Sequence, residues 1–109
     1  MTEKQIQAAV IAHWKRLGIP GTLVAAIPNA RAFGQAGLTQ GLFDLLVIGN
    51  ERVHFLELKT DKGKVSPYQL AFQALLIANG IPYAVTYGRE QPIRVLEDWG
   101  ICRREARAA

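Results

Sequence analysis

Two apolar runs standing close together constrain this chain more than anything else in it: DLLVI at Asp44–Ile48 and RVHFLELK at Arg52–Lys59, separated by Gly49, Asn50 and Glu51. Runs of this length, rich in β-branched and apolar residues and bounded by turn residues, predict strands, and so short an interval joins them as an antiparallel hairpin. Both runs are apolar on both faces, which predicts that the hairpin lies inside a sheet covered by helices. With Asn50 and Glu51 as the loop, Gly49 pairs with Arg52, and counting outward sets Asp44 directly opposite Glu57. Side chains alternate along a strand, so Lys59 projects from the same face as Glu57.

The rest of the chain supplies the helices. Thr2 followed by Gln5 has the form of a capping box, and Ile6, Val10, Trp14 and Leu17 recur at helical spacing until Gly18. TLVAAI, Thr22–Ile27, predicts a short strand stopped by Pro28. NARAFGQAGLTQG, Asn29–Gly41, has three glycines and no sustained period and predicts a long loop, in which Arg31, Gln35 and Gln40 are candidates to meet a phosphate backbone. Beyond a charged turn at Asp61–Lys64, Ser66 suits an N-cap and Pro67 the first helical position of YQLAFQALLIAN, which runs to Gly80. IPYAVTYG then predicts a strand parallel to the third, because strand, crossover helix and strand form a right-handed unit. PIRVLEDWGI fits a short edge strand or a helix, and RREARAA a frayed basic tail. The expected fold class is α/β, a mixed sheet with helices packed on it.

At 109 residues the expectation is one small domain, with no repeat or linker to divide it. Thirteen Lys and Arg against nine Asp and Glu give a net charge of +4, which favours a polyanionic partner, a weak signal alone. Cys102 is the lone cysteine, so neither an intrachain disulfide nor a cysteine-rich metal site is expected. MTEKQIQ lacks the order of a signal peptide, and no apolar run approaches the roughly 18 residues of a membrane span. Those features predict a soluble cytoplasmic protein with no membrane partner.

Directly opposed strand residues have Cβ atoms about 4.5–5.5 Å apart, and two carboxylates at that spacing repel unless a positive charge lies between them. A divalent cation relieves Asp44 and Glu57 economically. Oxygen ligands suit Mg²⁺ or Mn²⁺, whereas zinc favours histidine or cysteine. His13 lies in the first helix and His54 faces away from Glu57, so both read as packing or surface histidines. The competing reading of Asp44, Glu57 and Lys59 is a buried ion-pair cluster, which is costly to desolvate and seldom more stable than apolar residues.

Asp44, then Glu57-Leu58-Lys59, then Gly63 and Ser66-Pro67-Tyr68-Gln69 before an apolar helix, together with the strand GIPYAV, resemble the VRR-NUC (virus-type replication-repair nuclease) branch of the PD-(D/E)xK nuclease superfamily. The resemblance runs from about Glu3 to Tyr87. It departs at Phe43, where the family often has proline, and GLTQG matches the family's glycine-rich approach only loosely. What it implies is a restriction-endonuclease-like fold and a metal-dependent endonuclease acting on branched or otherwise structured DNA, such as a four-way junction. Asp44, Glu57 and the Leu58 carbonyl would bind the metal, Lys59 would orient or activate water, and Gln69 would support the site. Glu3 resembles the family's N-terminal helix acid, although a first-turn acid is also favoured by the helix dipole, and Gln69 also reads as an ordinary third residue of a helix. Arg31, Arg52, Lys62, Lys64, Lys15 and Arg16 are candidate phosphate contacts, with no base-reading helix among them. The resemblance further implies a homodimer. A module that holds DNA without cutting it, or a nuclease subunit targeted by a partner protein, is the alternative.

Overall fold

The computed structural model describes residues 1–28 and 36–106, so Arg31 and Gln35 lie outside the described residues. Helix α1, Glu3–Leu17, starts where its capping box predicts: the Gln5 N–H donates to Thr2 Oγ1 at 3.1 Å, and the Thr2 N–H donates to Gln5 Oε1 at 2.8 Å. Ile6, Val10 and His13 form its buried stripe. The sheet contains β1 (Leu23–Ala26), β2 (Leu45–Gly49), β3 (Arg52–Lys59) and β4 (Tyr83–Tyr87) in that spatial order, with α2 (Pro67–Ala78) between β3 and β4 and α3 (Glu90–Asp98) after them.

The hairpin has the expected register, Gly49 facing Arg52 and Leu45 facing Leu56. Its loop residues Asn50 and Glu51 both have positive φ, 52° and 64°, as a type I′ turn requires. Asparagine tolerates that conformation; glutamate is held in it by the two-residue geometry. β1 pairs antiparallel with β2, and β4 pairs parallel with β3, so the sheet is mixed. β2 and β3 are its central strands, consistent with their apolar sequences.

One face of the sheet carries the main core. Val24, Leu45, Val47, Leu56 and Leu58 cluster there with Ile6 and Val10 of α1, Leu96 of α3, and Ile101 and Cys102 behind them. The other face meets α2 through Phe72, whose ring stands edge-on to Phe43 and Phe55 at centroid distances of 5.3 and 5.2 Å. Helical spacing turns Gln69, Phe72, Gln73 and Leu76 inward. The expectation of a fully covered hairpin needs correction at its turn end, where Leu23, Ile48 and Val53 remain exposed on this second face.

PIRVLED falls within helix α3, with Trp99, Gly100 and Ile101 in the turn beyond it, and the tail is less frayed than its composition suggests. The Arg103 N–H donates to the Leu17 carbonyl at 2.9 Å, and the Glu105 N–H to Glu97 Oε2 at 3.1 Å. Residues 107–109 lie outside the described residues. No helix among the described residues is long and apolar enough to cross a membrane.

Candidate functional site

Asp44 stands one residue before β2, yet continues the β2–β3 register and so faces Glu57, as counted from the sequence. Its Oδ2 accepts the Leu58 N–H at 2.9 Å, its own N–H donates to Glu57 Oε1 at 3.2 Å, and its carbonyl accepts the Ile27 N–H at 2.8 Å. These bonds fix the residue beyond the strand end. Glu3 reaches the same place from the first turn of α1. One carboxylate oxygen from each of Glu3, Asp44 and Glu57 lies within 4.8 Å of the others.

Lys59 is 6 % exposed and completes the cluster, its Nζ 3.2 Å from Glu57 Oε2. Gln69 bridges the pair: its Nε2 donates to Glu57 Oε2 at 2.6 Å, and its Oε1 accepts from Lys59 Nζ at 2.9 Å. The same Oε1 accepts the Ser66 N–H at 3.0 Å, while the Gln69 N–H donates to Ser66 Oγ at 3.1 Å. Gln69 is therefore both the third residue of a capped helix and a link between the acid and the lysine; the two readings of the sequence are compatible. Gly41, at φ 88°, lies against the start of α2, where a Cβ would come within 2.5 Å of the Tyr68 backbone. A glycine is required there for the two segments to meet.

Glu57 is fully buried. Burial is the larger cause that pushes its carboxyl up to about 7, the Asp44 charge adds to it, and Lys59 opposes it. Three acids around one point, one of them reluctant to ionise, form a donor set that a hard divalent cation fits: all oxygen, and too crowded for three negative charges alone. The Leu58 backbone lies beside that set, its N–H donating to Asp44 Oδ2. β2 starts at Leu45, paired with Leu56, so Leu58 lies beyond the end of that ladder and its N–H is taken by a side chain instead.

Glu3, Asp44, Glu57, Leu58, Lys59 and Gln69 are thus brought together. Lys62 and Lys64 are exposed in the turn that follows Lys59. Arg52 is not brought in: it begins β3, seven residues and roughly 23 Å from Lys59, and its guanidinium donates to the Gly80 carbonyl at 3.0 Å. Arg31 lies outside the described residues. His54 faces the other side of the sheet, its ring 4.5 Å from that of Trp99, and burial, the larger cause, holds its imidazole below the ordinary value. The sequence reading missed Thr86 of β4, whose hydroxyl donates to the Glu57 carbonyl at 2.9 Å. The available signal was a lone hydroxyl in the run IPYAVTYG; its partner depends on the β3–β4 register, which no turn fixes.

No protein-family model matches the sequence, and no curated protein matches it significantly. Solved structures do. One, described as a VRR-NUC domain protein, superposes with a TM-score of 0.78 at 25 % identity, over 91 % of this chain and 88 % of that one. Another, described as a VRR-NUC domain, gives a TM-score of 0.65 at 25 % identity, over 89 % of this chain and 97 % of its own. The chain has a VRR-NUC domain. The α/β mixed sheet expected from the sequence is the VRR-NUC nuclease fold, and the carboxylates, Lys59 and Gln69 gather at one end of its β3.

Proposed function

We propose that this VRR-NUC domain is a metal-dependent DNA endonuclease that hydrolyses phosphodiester bonds, selecting branched DNA such as four-way junctions by shape. One observation carries the reading: three carboxylates converge on a point beside a buried lysine, on a sheet face where apolar residues would be more stable. Mg²⁺ or Mn²⁺ bound there supplies Lewis acidity, lowering the pKa of water and offsetting charge on the phosphate. Glu3, Asp44, Glu57 and the Leu58 carbonyl would hold it.

The chain's own residues do the remaining work. Lys59 presents a fixed ammonium that orients the attacking water and steadies the phosphate. Gln69 holds Lys59 and Glu57 in their mutual geometry, because its amide bonds both. Lys62 and Lys64, next in sequence to the site, suit phosphate contacts that position DNA without reading bases. Cutting both strands of a junction takes two such sites, so the proposed active form is a homodimer.

The test is cleavage of end-labelled single-stranded, duplex, flap and four-way-junction DNA with Mg²⁺, Mn²⁺ or EDTA, wild type beside Lys59→Ala. The expected result is metal-dependent cutting of branched DNA, reduced about 10²-fold or more in the variant. Unchanged cutting by Lys59→Ala would overturn the assignment. Binding without cutting in all conditions would favour a DNA-holding module, and cutting only with an added protein a targeted subunit.

A further inference from the structure

Thr86 sits on β4 opposite Leu58, only 2 % exposed, with its side chain on the sheet face away from the carboxylates. Its hydroxyl donates to the Glu57 carbonyl at 2.9 Å. The other end of that same peptide unit is the Leu58 N–H, which donates to Asp44 Oδ2, also at 2.9 Å. One amide is thus gripped at both ends, on one side by Thr86, whose hydroxyl adds to the bond its backbone N–H makes in the parallel ladder, and on the other by a proposed metal ligand.

A peptide unit is planar, with its C=O and N–H pointing in opposite directions, so a rotation that frees one bond misaims the other. A hydrogen bond received by the carbonyl also polarises the amide and strengthens its N–H as a donor. We propose that Thr86 is a positioning residue for the metal site: through the Glu57–Leu58 peptide it aims the Leu58 N–H at Asp44 and fixes how that carboxylate is turned. Thr86 touches neither the cation position nor the substrate. The proposal rests on the metal-dependent reading above and adds a residue outside the acidic cluster. Partners of this kind, one step removed from a metal ligand, affect metal affinity by tens of fold when they bond the ligand directly; acting through a peptide, the effect is smaller.

Thr86→Val keeps the shape and removes the hydroxyl, and Thr86→Ser restores the hydroxyl without the methyl. In metal-free protein, amide exchange at Leu58 is expected to quicken about tenfold in Thr86→Val and to return to the wild-type rate in Thr86→Ser. Mn²⁺ titration is expected to give an affinity about three- to tenfold weaker in Thr86→Val and within about twofold of wild type in Thr86→Ser. The metal concentration for half-maximal cleavage moves with it, while the rate at saturating metal stays nearly constant. If valine prevents folding, Thr86→Ala replaces it in the same measurements. A wild-type Leu58 exchange rate and Mn²⁺ isotherm in Thr86→Val would overturn the proposal and leave the nuclease reading standing. So would a loss of cleavage that excess metal does not restore and that tracks a lowered melting temperature. A wild-type protein that takes up no Mn²⁺ would overturn the nuclease reading and this one with it.

Discussion

Glu57 shows the electrostatics of the acidic cluster in one residue. A fully buried carboxyl facing another acid is unfavourable as an anion, and its pKa of about 7 expresses that cost. The sign of the linkage follows. Because the folded value lies above the ordinary 4.5, the folded protein binds more protons than the unfolded one between those two pH values, and this group's contribution to stability declines as pH rises through about 7. In EDTA, the urea midpoint of the wild type is therefore expected to fall between pH 5 and pH 8. Glu57→Gln, neutral throughout, should flatten that slope and be the more stable protein at pH 8. Equal slopes for the two proteins would show that Glu57 ionises freely in the fold. Added Mg²⁺ is expected to restore wild-type stability at pH 8 and to leave Glu57→Gln nearly unchanged.

At the scale of elements, the start of α2 is both a helix cap and a support for the site, since Gln69 Oε1 accepts from Ser66 and Lys59 together. Ser66→Ala removes the acceptor for the Gln69 N–H and is expected to cost about 1 kcal/mol in urea unfolding. Its cleavage rate should fall further than the folded fraction does, because a looser first turn misplaces Gln69; a rate that follows stability alone would make the cap purely structural. This cap was legible in Ser66-Pro67 and Gln69, as were the hairpin register, fixed by a two-residue loop, and the Asp44–Glu57 opposition that follows from counting. Elements joined by local rules read well. What was illegible depends on packing between distant segments: Glu3 meets Asp44 only because α1 lies across the sheet end, and sequence spacing alone left it open. Arg52 stands at the turn end of β3, where the hairpin register already placed it, and so away from the carboxylates. PIRVLEDWGI was ambiguous because the run is too short for its apolar spacing to separate strand from helix, and Pro92 fits either an edge strand or a helix's first turn. Thr86 depends on a parallel register set through a crossover.

The whole molecule leaves one helix half-dressed. α2 turns Phe72 and Leu76 inward, but Leu70, Leu75 and Ile77 are 53–61 % exposed, beside an equally exposed Tyr68. Tyr68 with Leu75 and Leu70 with Ile77 flank the buried stripe on its two sides, and with the exposed Ala71, Ala74 and Ala78 between them they make an apolar surface of the kind that marks an interaction site. A second copy of the chain is the occupant consistent with two-strand cutting, and a stable interface needs about 800 Å² from each partner, more than these four residues alone supply. The exposed Leu23, Ile48 and Val53 lie on the sheet face that α2 also packs on and can extend the contact. Sedimentation of the wild type is expected to give twice the 12.0 kDa chain mass. Leu75→Glu with Ile77→Glu should give the 12.0 kDa monomer with unchanged far-UV dichroism and unchanged metal binding. On a four-way junction the monomer is expected to nick one strand and release it before a second cut, whereas the dimer cuts both within one binding event. A wild type that sediments as a monomer at high concentration, with the double variant indistinguishable from it, would sink the dimer and leave a single-strand nickase as the form the site serves.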